Sequence, residues 1–567
     1  MTLFTSLQQS KNALVAAQIG IQVTGNNIAN VNTPDYLRER VIYTPAPTQS
    51  YGNLRLGMGV QVEAVVQQVD QFLEERLRNS ISDLANGETQ ESAYLQLEAL
   101  VGELSDTDIS TSLNDFLGSI NDILNQPEDV SVRNLSVLRG QTLARDISRL
   151  YGRAKEVHTD LNKQIKQAAT DINSLLNDIA DLNVKITTLE AGPITKSDAI
   201  GLRDQRQRKL TQLAGIIDIK GVEQENGSTS VFLGGEYLVI DGIARQVETK
   251  SVAENGFNNV KLTLAGTDSP ILASSGKLAG MITSRDAIVG EFMNNLDDFA
   301  QTLTFEFNRV FSSGQGQTGY QTMTSEFFID DALSDQPLDQ AGLTYTPTNG
   351  SFKIFTQNLQ TGLKNTVDIS VKLNGLPDDT SLQGLADAIS EVDGLTASIS
   401  LDGHLQIDSD SQNVEFAFGS DTSGVLAALG LGTFFTGTSA STIDIQQVLK
   451  EDPSKFAASK NGIGVDTDNA VEMAGFLDRP LDSRNGQTLD NVYAQLVGEV
   501  TQSASVAKSV AEGYRVFKET LDGQKQGLSG VSLDEEAVNL ITFQRQFQAA
   551  SRLISVIDEL LEVLVNI

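Results

Sequence analysis

The residue types that most often carry chemistry are scarce here. Of 567 residues none is cysteine and two are histidine, His158 and His404. Disulfides, thiolate catalysis and Zn–Cys sites are excluded, and there is no His cluster to hold a metal. Gly276-Lys277 is followed by Leu278 and lacks the earlier glycine of a phosphate-binding loop. The stretch DSDSQNVEF, Asp408 to Phe416, begins like a calcium loop but has no glycine at its sixth position. It reads as a polar hairpin end, and Asp466-Thr467-Asp468 is no better a site. His158 lies just before a heptad seam and His404 in an Asp-Gly-His turn; both read as surface or hydrogen-bonded residues. Carboxylates are plentiful, but no spacing sets two of them facing across a cleft. No catalytic, cofactor-binding or metal-ligating residue is assigned. The expectation is a non-enzymatic structural or interaction protein without a cofactor.

The chemistry that does stand out is hydrogen bonding without charge. Gly25 to Val41 reads GNNIANVNTPDYLRERV, and before Pro34 the sole charged side chain is Lys11. Asn26, Asn27, Asn30 and Asn32 can bond backbone groups freed at a helix end. Pro34 cannot continue a helix and pushes Thr33 toward an extended conformation. Such amides suit a segment crowded by neighbours, where an unpaired charge would be costly.

The elements that must carry this motif lie at the two chain ends. Leu7, Leu14, Ile21 and Ile28 recur every seventh residue, interleaved with Leu3, Ser10, Ala17 and Thr24. This is a heptad seam with one large row and one mostly small row. Gln, Asn, Ser and Thr occupy the faces where a solvent-facing helix carries mixed charges, so this helix is expected to be covered on more than one side. Near the other end, Leu540, Phe543, Phe547, Ala550, Ile554, Ile557, Leu561 and Leu564 alternate spacings of three and four and share one stripe. Ser532 is the expected N-cap of that helix, with Asp534 and Glu535 in its first turn. Two complementary stripes at opposite chain ends are expected to pair.

A third seam runs from Leu161 through Ile165, Ile172, Ile179 and Ile186 to Leu189, with a break at Gly192-Pro193 and a further helix after it. Residues 72–124 and the stretch around Leu296, Phe299, Leu303, Phe307 and Val310 also read as helical. Strand-like segments with Asp-Gly and Asn-Gly turns fill 218–275 and 320–445. The predicted fold class is multidomain α+β, a coiled-coil-like helical trunk built from both chain ends with β-rich domains inserted mid-chain. The expected domains are a terminal coiled coil (1–40 plus 530–567), a helical trunk (41–217 plus 276–319 plus 446–529), a small β insert (218–275) and an outer β insert (320–445).

With 74 acidic against 41 basic residues, the formal net charge is −33. Nucleic acid and anionic membrane both need a basic footprint and are not expected partners. The N-terminal residues lack a basic stretch followed by an apolar one, so no cleaved secretory signal is expected. The most apolar run, Gly424 to Phe435, is far short of the ~20 residues of a membrane-spanning helix, so membrane insertion is not expected either.

GNNIANVNTPDYLRERV, GMGVQVEAVVQQVDQFLEERLR and the tail from Gly530 to Leu564 together resemble the axial proteins of the bacterial flagellum, the rod, hook and flagellin family. There an N-terminal heptad helix ends in an Asn-Asn-x-Ala-Asn-x-Asn-Thr-x-Gly-Tyr motif, matched here through Tyr36. The C-terminal helix carries Asn-Leu-x-x-x-Gln-x-x-x-Gln-Ala, close to Asn539 through Ala549. The long helices, LRDQRQRKLTQL, SSGKLAGMITSRD and VLKEDPSKFAAS are similar to the hook–filament junction members. The family usually has Gly where this chain has Asp35, a residue that tolerates positive φ better than most.

The resemblance implies a secreted, extracellular structural adaptor, exported without a cleaved signal and needed for filament assembly. Its implied partners are further copies in a ring, hook protein, a second junction protein (hook-associated protein 3) and an export chaperone on the C-terminal helix. The implied assembly interface is the two end seams with Asn27, Asn30, Asn32, Thr33, Pro34 and Tyr36. The alternatives are another axial protein, hook protein or flagellin, or a secreted adhesin carrying a functional β insert.

Overall fold

A computed structural model describes residues 3–33, 36–51, 54–102, 108–191, 199–254, 256–330 and 334–565. Pro34, Asp35 and the Gly192-Pro193 break lie outside these residues. The chain forms two compact units, one from 1–92, 160–285 and 505–567, the other from 93–159 and 286–504.

The first unit contains both chain ends. Helix α1 (Leu3–Ala29) is followed by an antiparallel pair, β1 (Glu39–Pro45) and β2 (Val60–Gln67), in register from Glu39–Gln67 to Pro45–Val60 with a bulge at Ile42/Tyr43. The sequence reading contains no strand in this stretch. The β-branched and aromatic residues Val41, Ile42 and Tyr43 favour one, but Pro45 and Pro47 obscure the alternation. Helix α2 (Gln71–Gly102) follows; its part up to Ser92 belongs to this unit. So do the later half of the 61-residue α4 (Val130–Glu190), α5 (Ile200–Ile216) and the last helix, Leu533–Val565. The third seam is real: Ile165, Ile172, Ile179 and Ile186 are fully buried.

Residues 220–264 are the expected β segment. Strands β3 (Lys220–Glu223), β4 (Thr229–Leu233), β5 (Glu236–Ile240) and β6 (Ile243–Ala244) form a meander, and β7 (Val247–Glu254) pairs with β8 (Phe257–Leu264). They are tied to α4 by asparagines. Asn183, wholly buried, donates to the Thr229 carbonyl at 2.8 Å and accepts from the Thr229 N–H at 2.9 Å. Asn173 does the same with Val247, at 2.8 and 2.7 Å. Asn162 accepts from the Val260 N–H at 2.9 Å and donates to the Asn258 carbonyl. A helix side chain thus imitates the next strand and satisfies backbone groups that would otherwise be buried unpaired.

In the second unit, α3 (Ile109–Asn125) is capped by Asp108, and α6 (Gly290–Phe311) buries a phenylalanine cluster. Phe116, Phe307, Phe311, Phe434 and Phe435 meet ring to ring at 4.8–6.3 Å. Asn308 repeats the amide device inside this cluster, pairing with both the N–H and the C=O of Phe435 at 2.9 Å.

The segment expected to be a β insert holds two three-stranded sheets. One orders Lys364–Val371, Gly350–Asn358, Val414–Gly419; the other orders Thr322–Thr324, Leu405–Ser409, Leu395–Ile399. The helix Leu382–Ser390, capped by Ser381, supplies Leu385 and Ile389 to a core shared with Phe352, Ile354, Phe416 and Leu429. Gly403 has φ +78°, and a Cβ there would strike the Ile329 carbonyl, so the Asp402-Gly403 turn admits little else. Asp408 and Asp410, read in the sequence as a hairpin end, accept from Thr322 and Thr396. His404 Nδ1 lies 2.9 Å from the Ser325 carbonyl, and His158 is buried.

Candidate assembly interface

α1 packs along the last helix, Leu533–Val565, and also against β1 and β2. The expected cover on more than one side is therefore supplied within one chain. The small row of the α1 heptad faces inward: Ser10, Ala17 and Thr24 are each no more than 2 % exposed, while Leu7, Leu14, Ile21 and Ile28 are half-buried. The reason is close approach. A Cβ at Gly20 would lie 2.8 Å from the Phe543 ring, so the helices meet where α1 has no side chain.

On the last helix the expected stripe does face inward. Ala550 and Ile557 are buried, and Leu540, Phe543, Phe547, Ile554 and Leu561 are half-buried. The Leu564 side chain lies outside the described residues. Ser532 caps the helix, with its Oγ 3.5 Å from the Glu535 N–H. Arg38 fixes the same end: its Nε donates to Glu536 Oε1 at 2.8 Å and its Nη1 to Glu535 Oε2 at 2.6 Å.

The asparagine-rich stretch serves several ends. Asn27, 1 % exposed, donates to the Glu39 carbonyl at 3.0 Å, accepts from the Glu39 N–H at 2.9 Å and accepts from the Tyr36 hydroxyl at 3.0 Å. It sets the start of β1 by the device seen at Asn173 and Asn183. Asn30 donates to the Asn26 carbonyl, and Thr33 donates to Asn30 Oδ1 at 3.1 Å, closing the helix end. Asn32 and Thr33 are exposed. Burial pushes the Glu39 carboxyl above its ordinary range, while hydrogen bonds from Tyr36 and Asn26 pull it back. Tyr36 itself is raised by burial and by the nearby Glu39.

A second apolar stripe on the last helix is absent from the sequence reading. Val538, Ile541, Leu553, Val556, Leu560 and Val563 are each 49–64 % exposed, and of these Leu553 borders α1 across a shallow groove. Their spacing of three, four and multiples could have revealed it, but the larger inward residues dominate the pattern. A groove of about 790 Å³ opens beside it, lined by Ala13, Ala16, Tyr43, Phe543 and Leu553. None of these groups is arranged for bond-making chemistry; the surface is suited to packing.

Paired terminal helices carrying a rod-type motif, with helical and β segments between them, define an axial structural protein of the bacterial flagellum. Residues 7–36 match the family described as Flagella basal body rod protein, and 527–567 match Flagellar basal body rod FlgEFG protein C-terminal. Residues 94–328 match Flagellar hook-associated protein FlgK helical domain. Flagellar hook-associated protein 1 of Bacillus subtilis is 24 % identical over 99 % of this chain and 98 % of its own length. That of Escherichia coli is 24 % identical over 99 % of both. The solved flagellar hook junction protein FlgK of Burkholderia pseudomallei shares the fold, with TM-score 0.50, 15 % identity and coverage of 80 % of this chain and all of that one.

Over its full length the chain is thus similar to flagellar hook-associated protein 1. It is a structural hook–filament junction component of the bacterial flagellum, and the alternatives of hook protein, flagellin or adhesin are not favoured. No helix among the described residues is long and apolar enough to cross a membrane.

Proposed function

We propose that the chain works by assembly alone, as copies in a ring that bridge hook protein to a second junction protein, hook-associated protein 3, and so let the filament grow. The observation that carries this reading is the unpartnered stripe from Val538 to Val563. One face of the last helix is spent on α1, and the other presents a row of large apolar side chains to solvent. Such a row marks a surface awaiting a partner. The half-buried Leu7, Leu14, Ile21 and Ile28, with Asn30, Asn32, Thr33, Pro34 and Tyr36, would complete the contact between neighbouring copies. The same stripe suits an export chaperone that shields it before the protein is secreted. In this proposal 1–40 with 530–567 forms the assembly domain, 41–217 with 276–319 and 446–529 the trunk, and 218–275 and 320–445 are the outward β inserts. The absence of cysteine suits passage through an export channel to the cell exterior.

The test is Val556→Asp with Leu560→Asp in cells. Both side chains are half-exposed, so the folded monomer should keep its helix content, whereas charges in a dry contact cost several kcal/mol per subunit. Hooks without filaments and flagellin shed into the medium are expected. Normal filaments in normal number would sink the proposal.

A further inference from the structure

A polar cavity of about 670 Å³ lies within the first unit, walled by α2, α5 and β3. Most of its charges are already paired. Arg203 binds Glu190 at 2.8 Å and also Glu223. Arg206 donates to Asn183 Oδ1 at 2.9 Å and to the Gly227 carbonyl at 2.6 Å. Glu74 receives Lys525 at 2.9 Å and Gln207 at 2.6 Å.

Arg78 is different. It is 7 % exposed, it lines the cavity, and its Nε is buried without a hydrogen-bond partner. Among the described residues no hydrogen bond or ion pair reaches its guanidinium; Glu74 and Glu75, on the same helix, act on it through space alone. Burial draws its pKa below the ordinary arginine value. A desolvated charge with no hydrogen-bond partner is costly, and buried polar groups in folded proteins usually have one, from protein or from a molecule beside it.

We propose that this cavity binds a carboxylate, with Arg78 as the residue that receives it. Four cations, Arg78, Arg203, Arg206 and Lys220, line the cavity against three carboxylates, Glu74, Glu75 and Glu223. Glu190 and Lys525 meet Arg203 and Glu74 from outside the lining and Asp204 meets Gln67, so Arg78 is set apart by its unbonded Nε and not by a surplus of charge. A planar monoanion matches one free guanidinium fork; a phosphate dianion would bring surplus charge against the three glutamates. Leu37, Val69 and Phe72 give the lining an apolar side suited to a short hydrocarbon body. The carboxylate comes either from a small free organic acid or from an Asp or Glu side chain of a second copy, and the latter source rests on the assembly reading above.

The experiment uses the full chain and sodium propionate as probe, with propionamide as its neutral isostere, at constant ionic strength. Thermal unfolding and calorimetric titration are followed for the native chain and for Arg78→Met. Propionate should raise the unfolding midpoint of the native chain in proportion to the logarithm of its concentration; propionamide should not. In Arg78→Met the affinity should fall by at least ~10-fold, and without ligand this variant should unfold at a higher temperature, because it removes an unpaired buried charge. If the source is a second copy, Arg78→Met weakens self-association in sedimentation, and propionate, by occupying the same guanidinium, does so as well. The proposal is overturned if Arg78→Met alters neither the propionate response nor self-association, or if it lowers the midpoint. The titration is independent of ring formation, so failure of the assembly reading leaves it standing.

Discussion

The terminal helix pair and the mid-chain β segment bury apolar residues in opposite ways. In the β segment Phe352, Ile354, Leu385, Ile389, Leu405 and Phe416 are fully buried, and its exposed apolar residues, such as Leu363 and Leu401, sit singly at turns. In the terminal pair a glycine sits close under a phenylalanine ring, and six large apolar side chains of the last helix stay in solvent. The first region closes its core within the chain; the second leaves apolar area exposed, which the proposed function assigns to a partner. Two helices joined by small residues gain close packing but little transfer free energy, since that gain scales with apolar area removed from water.

This contrast can be broken in order of effect. Phe352→Ala should cost about 3–5 kcal/mol of unfolding free energy by opening a cavity in a closed core. Denaturant unfolding reads this directly, and a loss below about 1 kcal/mol would mean that the segment repacks easily. Gly20→Leu should cost about 1–3 kcal/mol by overpacking against Phe543 and should also impair filament attachment, because it shifts the helix that carries the outer stripe. Undiminished motility with an unchanged midpoint would show that the close approach is dispensable. Asn27→Ala should cost about 1–3 kcal/mol, since it removes both bonds to the half-buried Glu39 backbone groups. Hydrogen exchange at Glu39 is the sensitive readout, and unchanged protection there would remove Asn27 from its clamping role.

Acidification separates the terminal pair from the stretch that follows the β segment, because carboxylates at the two places are shifted in opposite directions. Asp452 and Asp466, in the chain after the β segment, are held below the usual carboxylate range. Although burial raises each, Lys455 and Ser454 outweigh it at Asp452, and Ser459 with the N–H groups of Lys460, Asp468 and Asn461 outweighs it at Asp466. Their folded pKa lies under the unfolded one, so their contribution is present above about pH 4 and is lost as pH falls through the folded value. Glu39, at the terminal pair, is raised by burial. Its ionised form costs stability above its folded pKa, and that penalty is relieved as pH falls through it. Exchange mapped at neutral pH and near pH 4 should show 452–468 loosening before β1 does; the reverse order would overturn this reading. The smallest effect is expected at Glu535→Gln, about 0.5 kcal/mol or less, because that end of the Arg38 bridge is 62 % exposed.

Much of the fold was legible in the sequence because it rests on local periodicity. The seam of α4, the stripe from Leu540 to Leu561 and the alternating strands of 350–409 appear as residues three, four or two apart. The hairpin of β1 and β2 was hidden by flanking prolines. The inward face of α1 was hidden for another reason: a heptad shows that two rows exist, and size alone favours the large row. The helix instead turns its small row to Phe543, a residue more than five hundred positions away in the chain. The candidate site was legible as a motif, yet half of it, the outer stripe of the last helix, became visible after α1 had taken the inner one.

By itself the sequence determined the absence of thiol and zinc–cysteine chemistry, the acidic charge, the helical seams and the polar, nearly uncharged N-terminal helix. These are properties of composition and short spacing, which need no partner to be defined. Tertiary structure alone decided which carbonyl each asparagine meets, as with Asn27 and Glu39 twelve residues apart or Asn162 and Val260 ninety-eight apart. Among the described residues it alone left Arg78 Nε without a hydrogen-bond partner, while Arg203 and Arg206 found carboxylates. A side-chain amide or guanidinium carries no mark of its partner; hydrogen-bond geometry and burial assign one only when distant segments are brought within about 3 Å of each other.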